Sequence, residues 1–349
     1  MPLHPSVIIT VDGQPVSGLF LERLISVSIT DKEGTRSDTI DLLLEAGPPF
    51  FEIPRKKAII AAWIEKEYFG SYTADDIDLA CLPYKVSIQG KSADMRDDLK
   101  EHRSRHWDDA TFGQIVQEIA GENGLAAQVD QDIANYKGAD GYFAQEMESG
   151  LHFIERQSRR LDGVFAIKDG KLIVAKKGAG LTPGGSAIPT LIVTPQMIIK
   201  ETCHIKWTER ESHKTVRAGH TNLAEAERQY EEAGSNEKGT ATLTLRHQFA
   251  NKDEAKRAAT AYANELKRSA TQTSVGIEGT PRARGGGPMA YRGVHPAVDG
   301  TKFIIETATH TFDKGSGYKV SIEAKVKVPG EASGGGSKES IANETYQGS

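Results

Sequence analysis

The chain has 349 residues, 38% of them hydrophobic and 26% charged, with a formal net charge of −5. That length exceeds one small core and predicts two or three domains of ~100–200 residues each. The composition excludes a wholly disordered chain, and the charge balance lacks the basic excess of a dedicated nucleic-acid binder.

The first ~100 residues read as strands. Residues 7–11 are β-branched and lead into the turn signal Asp12-Gly13. Residues 24–31 alternate, with Ile25, Val27 and Ile29 on one face, and residues 40–44 supply a matching partner with Ile40, Leu42 and Leu44. Further strands are expected at 58–64, 68–72 and 84–91. So many strands in so short a span imply a barrel or a sandwich. In Pro48-Pro49-Phe50-Phe51 two adjacent aromatics follow two prolines. Both cannot face one barrel core, so Phe50 and Phe51, with Tyr68, Phe69 and Tyr72, are candidate interface residues; a local satellite core is the alternative.

The period then changes. Thr111 is an N-cap with Gln114 three residues on, and Phe112, Ile115, Val116, Ile119 and Ala120 follow at helical spacing. A second helix is expected over 149–161. The stretch 164–174 reads as a hairpin turning at Asp169-Gly170. Residues 105–180 therefore look like a small α/β module set between β regions. A Gly/Pro-rich linker at 177–189 follows. Strand patterns return at 191–194, 197–208, 215–218 and 240–247, while 223–233 reads as helix or loop. An amphipathic helix is expected over 252–269, and strands at 271–278, 302–312 and 318–328 flank a loop at 281–300. The Gly/Ser-rich end, 330–349, reads as a flexible tail.

Signals for chemistry are weak. No phosphate-cradling loop, zinc-protease helix or nucleophile elbow is present. Cys81 and Cys203 stand far apart, which leaves no disulfide framework and points to a reducing cytoplasm during assembly. Neither a signal peptide nor an apolar run approaching ~20 residues is seen, so no membrane insertion is expected. The trio Asp75, Asp76 and Asp78 reads as a solvated turn. His102 and His106, four apart in a charged stretch, suggest a surface helix. Cys203-His204 cannot easily share one ligand, because neighbours on a strand point to opposite faces. No catalytic residue, cofactor or metal site is read, and the odds shift toward a structural or interaction protein.

Two stretches carry a resemblance. Tyr142-Phe143-Ala144-Gln145-Glu146-x-Glu148-Ser149-Gly150-x-x-Phe153-Ile154-x-Arg156, then Arg160-Leu161-Asp162-Gly163-x-Phe165 and Gly170-Lys171-Leu172, resembles the phage late control protein D family. Gly150 stands where Asp is usual and Ile154 where Leu is usual. Trp107-Asp108-Asp109-x-Thr111-Phe112-Gly113-x-Ile115 resembles the family's entry into its first helix. Val298-Asp299-Gly300-Thr301-x-Phe303-Ile304-Ile305 and Thr309-His310-x-Phe312 resemble its closing hairpin.

The resemblance implies a structural baseplate hub of a contractile injection system, either a phage tail or a tailocin. It also implies a β-rich α+β fold with two tube-like antiparallel β-barrels, at 1–104 and 190–329, and an inserted small α/β module. Three chains of two barrels would form a homotrimer that adapts a sixfold tail tube protein to a threefold central spike protein. The tape measure protein and other baseplate proteins would be further partners, with no specific nucleic acid. The protein would assemble in the host cytoplasm and reside in the virion or tailocin baseplate. A tail-associated peptidoglycan hydrolase and the hub of a type VI-like secretion spike are the alternatives.

Overall fold

A computed structural model describes residues 6–328 except 17, 35–37, 93–98, 100, 169, 181–186, 209–212, 223–226 and 237–238. The expected tail, part of the expected linker and Asp169 of the expected hairpin turn lie outside the described residues.

β1 (Val7–Val11) and β2 (Gln14–Pro15) turn at Asp12-Gly13, where both residues have positive φ. Helix α1 (Gly18–Arg23) leads into β3 (Leu24–Lys32), β4 (Thr39–Glu45), β5 (Ile59–Ile64), β6 (Glu67–Cys81) and β7 (Tyr84–Ser92). The alternation read in β3 and β4 is what buries them: register sets Ile29 opposite Ile40 and Val27 opposite Leu42. With Ile9, Ile60, Ile64, Val86 and Ile88 these side chains fill a first core. β6 is much longer than expected, and Asp75, Asp76 and Asp78 lie in it rather than in a turn. Pairing explains this: Ile77 lies opposite Ile88 and Leu79 opposite Val86. The ladder with β7 outweighs the low strand preference of aspartate at exposed positions.

β8 (His102–Trp107) is a strand where a helix was expected. Residues four apart on a strand are separated by ~13 Å, so His102 and His106 cannot share an ion. α2 (Phe112–Glu122) begins on the expected capping box: the Thr111 hydroxyl accepts from the Gln114 N–H at 3.3 Å, and Gln114 Oε1 accepts from the Thr111 N–H at 2.8 Å. β9 (Ala126–Val129), the short α3 (Gln131–Ala134), β10 (Phe143–Ser149), α4 (Gly150–Arg160), β11 (Gly163–Lys168) and β12 (Lys171–Lys176) complete the module. β8 pairs with β10, while β9, β12 and β11 form a three-stranded sheet. Phe112, Ile119, Phe153 and Leu172 fill a second core. At Gly150, the departure from the family pattern, a Cβ would lie 3.3 Å from Ile119 Cγ2, which suits a small residue.

β13 (Leu191–Val193), β14 (His204–Trp207), β15 (His213–Asn222), β16 (Glu227–Gly234), β17 (Ala241–Phe249), α5 (Lys252–Ala270), β18 (Thr271–Glu278), β19 (Pro288–Tyr291), β20 (Lys302–Asp313) and β21 (Gly317–Val326) make up the rest. Three expectations are corrected. β16 replaces the helix or loop expected over 223–233 from Glu227 onward, residues 223–226 lying outside the described residues; its charged residues suit an edge strand, which charge protects from further pairing. The strand expected over 197–208 shrinks to β14. The loop expected over 281–300 contains β19. α5 starts at the cap Asn251, whose Oδ1 accepts from the Glu254 N–H at 2.9 Å. Its stripe of Ala255, Ala259 and Ala263 packs closely on Val216 and Ala218 of β15.

One large sheet runs through both β regions. Its order is β14-β18-β21-β20-β3-β4-β7-β6-β5-β1-β2, with β13 and β19 branching from β20. The seam is β20 against β3, antiparallel, with His310 opposite Ile29 and Phe312 opposite Val27. On the far side of the seam Val275, Ile277, Phe303, Ile305 and Ile322 form a third core. Each β region thus has its own interior while sharing one hydrogen-bonded sheet.

Candidate interaction surfaces and a buried ionic junction

The first β region, the module and the loop before β19 meet at a cleft of about 650 Å³. Lys168, at the end of β11, reaches across it. Its Nζ donates to Asp31 Oδ1 at 2.7 Å and pairs with Asp38 Oδ2 at 3.0 Å. Arg284 enters from the opposite wall, 3.6 Å from the centroid of the Phe69 ring, and donates to the Tyr68 carbonyl at 3.0 Å. Beneath it His310 bridges Ala283 and Tyr318. A carbonyl only accepts, so Nε2 donates to the Ala283 oxygen at 2.8 Å, and Nδ1 accepts from the Tyr318 hydroxyl at 2.7 Å; this network assigns the proton to Nε2.

One lysine serves two carboxylates, and their titration divides accordingly. Burial opposes charge on Asp31, but Lys168 and Arg284 hold its carboxyl below the usual value. Burial, with the charge of Asp31, pushes Asp38 up to about 6 against the pull of Lys168. Burial and then Arg284 lower His310 to about 4, so the imidazole is neutral at physiological pH. Such an arrangement fastens segments together. Among the described residues no cluster of three or more potential metal ligands occurs.

A second clamp holds the module to α5. Arg268 Nη2 donates to both oxygens of Asp162 at 2.9 Å, and Asn264 donates to Asp162 at 2.8 Å. Lys177 pairs with Glu265 at 2.7 Å, and Tyr136 donates to Glu254 at 2.9 Å. Burial works against the Glu265 charge, yet Lys177 and Lys325 bring its pKa down to about 2.

The structure separates the five candidate interface residues. Phe50 is 68% exposed and meets Tyr84 edge-on at 5.8 Å. Phe51 instead packs on Phe20 beside Arg23. Tyr68 is partly exposed, but Phe69 and Tyr72 are buried, which corrects their candidacy as surface groups. Phe69 is the extra residue of a bulge opposite Ala62 and Trp63. That bulge puts Phe69 and Tyr72, three apart, on the same inner side. Asp31, Asp38, Lys168 and Arg284 were not singled out by sequence reasoning, because nothing local distinguishes them from surface charges. The exposed apolar end of the β6–β7 hairpin was missed as well, since Leu79 and Leu82 fall between the strands expected at 68–72 and 84–91, where single leucines carry no signal.

Comparison with known proteins gives the setting. The family model described as phage tail baseplate hub (GPD) matches residues 59–316. A probable baseplate hub protein of Escherichia phage 186 is 26% identical, the match covering 93% of this chain and 94% of that one. The corresponding protein of Escherichia phage P2 is 32% identical over 197 residues, about half the length of that relative. A tail protein from Neisseria meningitidis superposes with a TM-score of 0.70 at 12% identity, covering 92% of this chain and 96% of that one. The 43 kDa tail protein of a Shewanella oneidensis prophage gives 0.67 at 14% identity, covering 92% and 98%. These structures share the fold, and the sequence match fixes the lineage: the chain belongs to the phage tail baseplate hub family.

Proposed function

We propose that three copies of this chain close into a ring that adapts a sixfold tail tube to a threefold central spike. One observation carries the reading. Two β regions, each with its own core, are joined edge to edge through β3 and β20. A chain that rigidly holds two such units lets a threefold ring present six. The buried ion pairs at Lys168 and Arg268 fasten the module and α5 to that frame, as a part that transmits force requires. The partners are the tail tube protein, the central spike protein and, through the lumen, the tape measure protein.

The work of the protein is binding, with no bond made or broken. Asp31 and Asp38 are both engaged by Lys168, which supports a structural use of these carboxylates over a hydrolytic one. Imaging the assembled tail, or native mass spectrometry of a hub–spike complex, should count three copies per ring; one copy or six would refute the adaptor. Purified protein should leave a peptidoglycan suspension turbid, and clearing would overturn the non-enzymatic reading.

A further inference from the structure

Besides the short strands β2 and β13, two stretches of the large sheet pair on one side only among the described residues. One is β14, which pairs only with β18. The other is the outer half of β6. β5 and the residues just before it cover β6 as far as Ala74, and beyond it the strand pairs on one side only, with β7. Open edges of this kind are templates for strand addition.

The two edges match in chemistry and in period. On the outer half of β6, Ile77 and Leu79 share the face that points to the core side of the sheet, while Asp76 and Asp78 point the other way. Leu79 is 46% exposed because it lies past the end of the core, and Leu82 at the hairpin tip is 86% exposed. β14 repeats the arrangement. Ile205 packs toward the third core, and Trp207 on the same face is 59% exposed, while His204 and Lys206 are exposed on the outer face. Asp76, Asp78 and Lys206 form no ion pair with other described residues, and each is open to solvent.

We infer that the outer half of β6 in one copy adds, antiparallel, to β14 of a second copy, continuing the sheet from chain to chain. Setting Asp78 opposite Lys206 places Leu79 opposite Ile205 and Ile77 opposite Trp207. One face of the new ladder then pairs opposite charges, and the other pairs apolar side chains. A one-residue slip would set charge against apolar throughout, so the register is specified. Each chain carries one edge of each kind, so the pairing is head to tail, and a threefold rotation between copies closes it as the ring proposed above. The exposed Phe50, edge-on to Tyr84 beside the hairpin, extends the apolar side of the contact.

The inference rests on the hub reading, and the experiment separates the two. Wild type, Asp78→Lys, Lys206→Asp and the double variant are compared by size exclusion with light scattering over a concentration series. Far-ultraviolet circular dichroism checks folding, which these exposed positions should not disturb. Equal mixtures of ordinary and nitrogen-15-labelled protein are treated with a carbodiimide that joins carboxylate to amine. Mixed-isotope peptides joining Asp76 or Asp78 to Lys206 are expected. Each single reversal should raise the association midpoint at least about tenfold, and the double variant should recover it. A trimer that forms equally well in both single variants, or that cross-links only elsewhere, overturns the pairing and leaves the hub reading standing. A wild-type chain that stays monomeric without inter-copy cross-links also overturns the pairing, while the copy number in the assembled tail judges the hub reading separately.

Discussion

Replacing Lys168 by Met tests the buried junction most directly. The change keeps much of the side-chain volume but removes the one cation shared by Asp31 and Asp38, whose side chains are only 9% and 10% exposed. Breaking a buried pair by removing one partner costs about 3–5 kcal/mol, because the remaining charge is left uncompensated. Here two like charges remain, with Arg284 still attracting Asp31, so a value within that range is expected near neutral pH. The sign with pH follows from Asp38. Its folded pKa is raised from 3.8 to about 6, so its contribution to stability is fully present below the unfolded value and is lost as pH rises through the folded one. Without Lys168 that folded value climbs further. The penalty of Lys168→Met should therefore be larger at about pH 7.5 than at about pH 5, by at least about 1 kcal/mol. Equilibrium urea unfolding of both proteins at both pH values, followed by tryptophan fluorescence, measures it. A loss below about 1 kcal/mol, or one equal at the two pH values, would refute the claim that Lys168 neutralises two buried carboxylates. Adding Asp38→Asn to the variant should restore part of the loss.

Other outcomes are expected from the same structure. His310 carries the opposite pH sign: its folded value of about 4 lies below the ordinary 6.5, so the stability it contributes is present above pH 6.5 and fades as pH falls toward 4. His310→Phe should flatten that slope in acid-unfolding curves. Arg268→Met strands the carboxylate of Asp162 and should cost about 3 kcal/mol, with limited proteolysis cutting first between the module and α5. Phe153→Ala empties the middle of the module core and should cost about 3–5 kcal/mol, read from the same urea curves. Phe50→Ser should stay within about 0.5 kcal/mol of wild type, as an exposed position does, while Phe51→Ser loses clearly more; equal losses would mean that the two aromatics share one environment.

Much of this molecule was legible in its residues, and for local reasons. The Thr111 and Gln114 box, the alternation of Ile40, Leu42 and Leu44 and the alanine stripe of α5 are short-range patterns that a chain displays before it folds. The family, too, was readable from the run between Tyr142 and Arg156, where spacing is preserved. Strands with no apolar alternation were not legible. β8 and β16 are strands because a neighbour supplies hydrogen bonds, and polar sequence alone does not say so. The joining of β3 to β20, nearly three hundred residues apart in sequence, has no local signature, since any strand edge offers the same backbone groups. The same holds for Lys168 between Asp31 and Asp38. A lysine and an aspartate look alike in sequence whether they are solvated or buried, and only the packing of three distant segments removed the water that would otherwise have screened them.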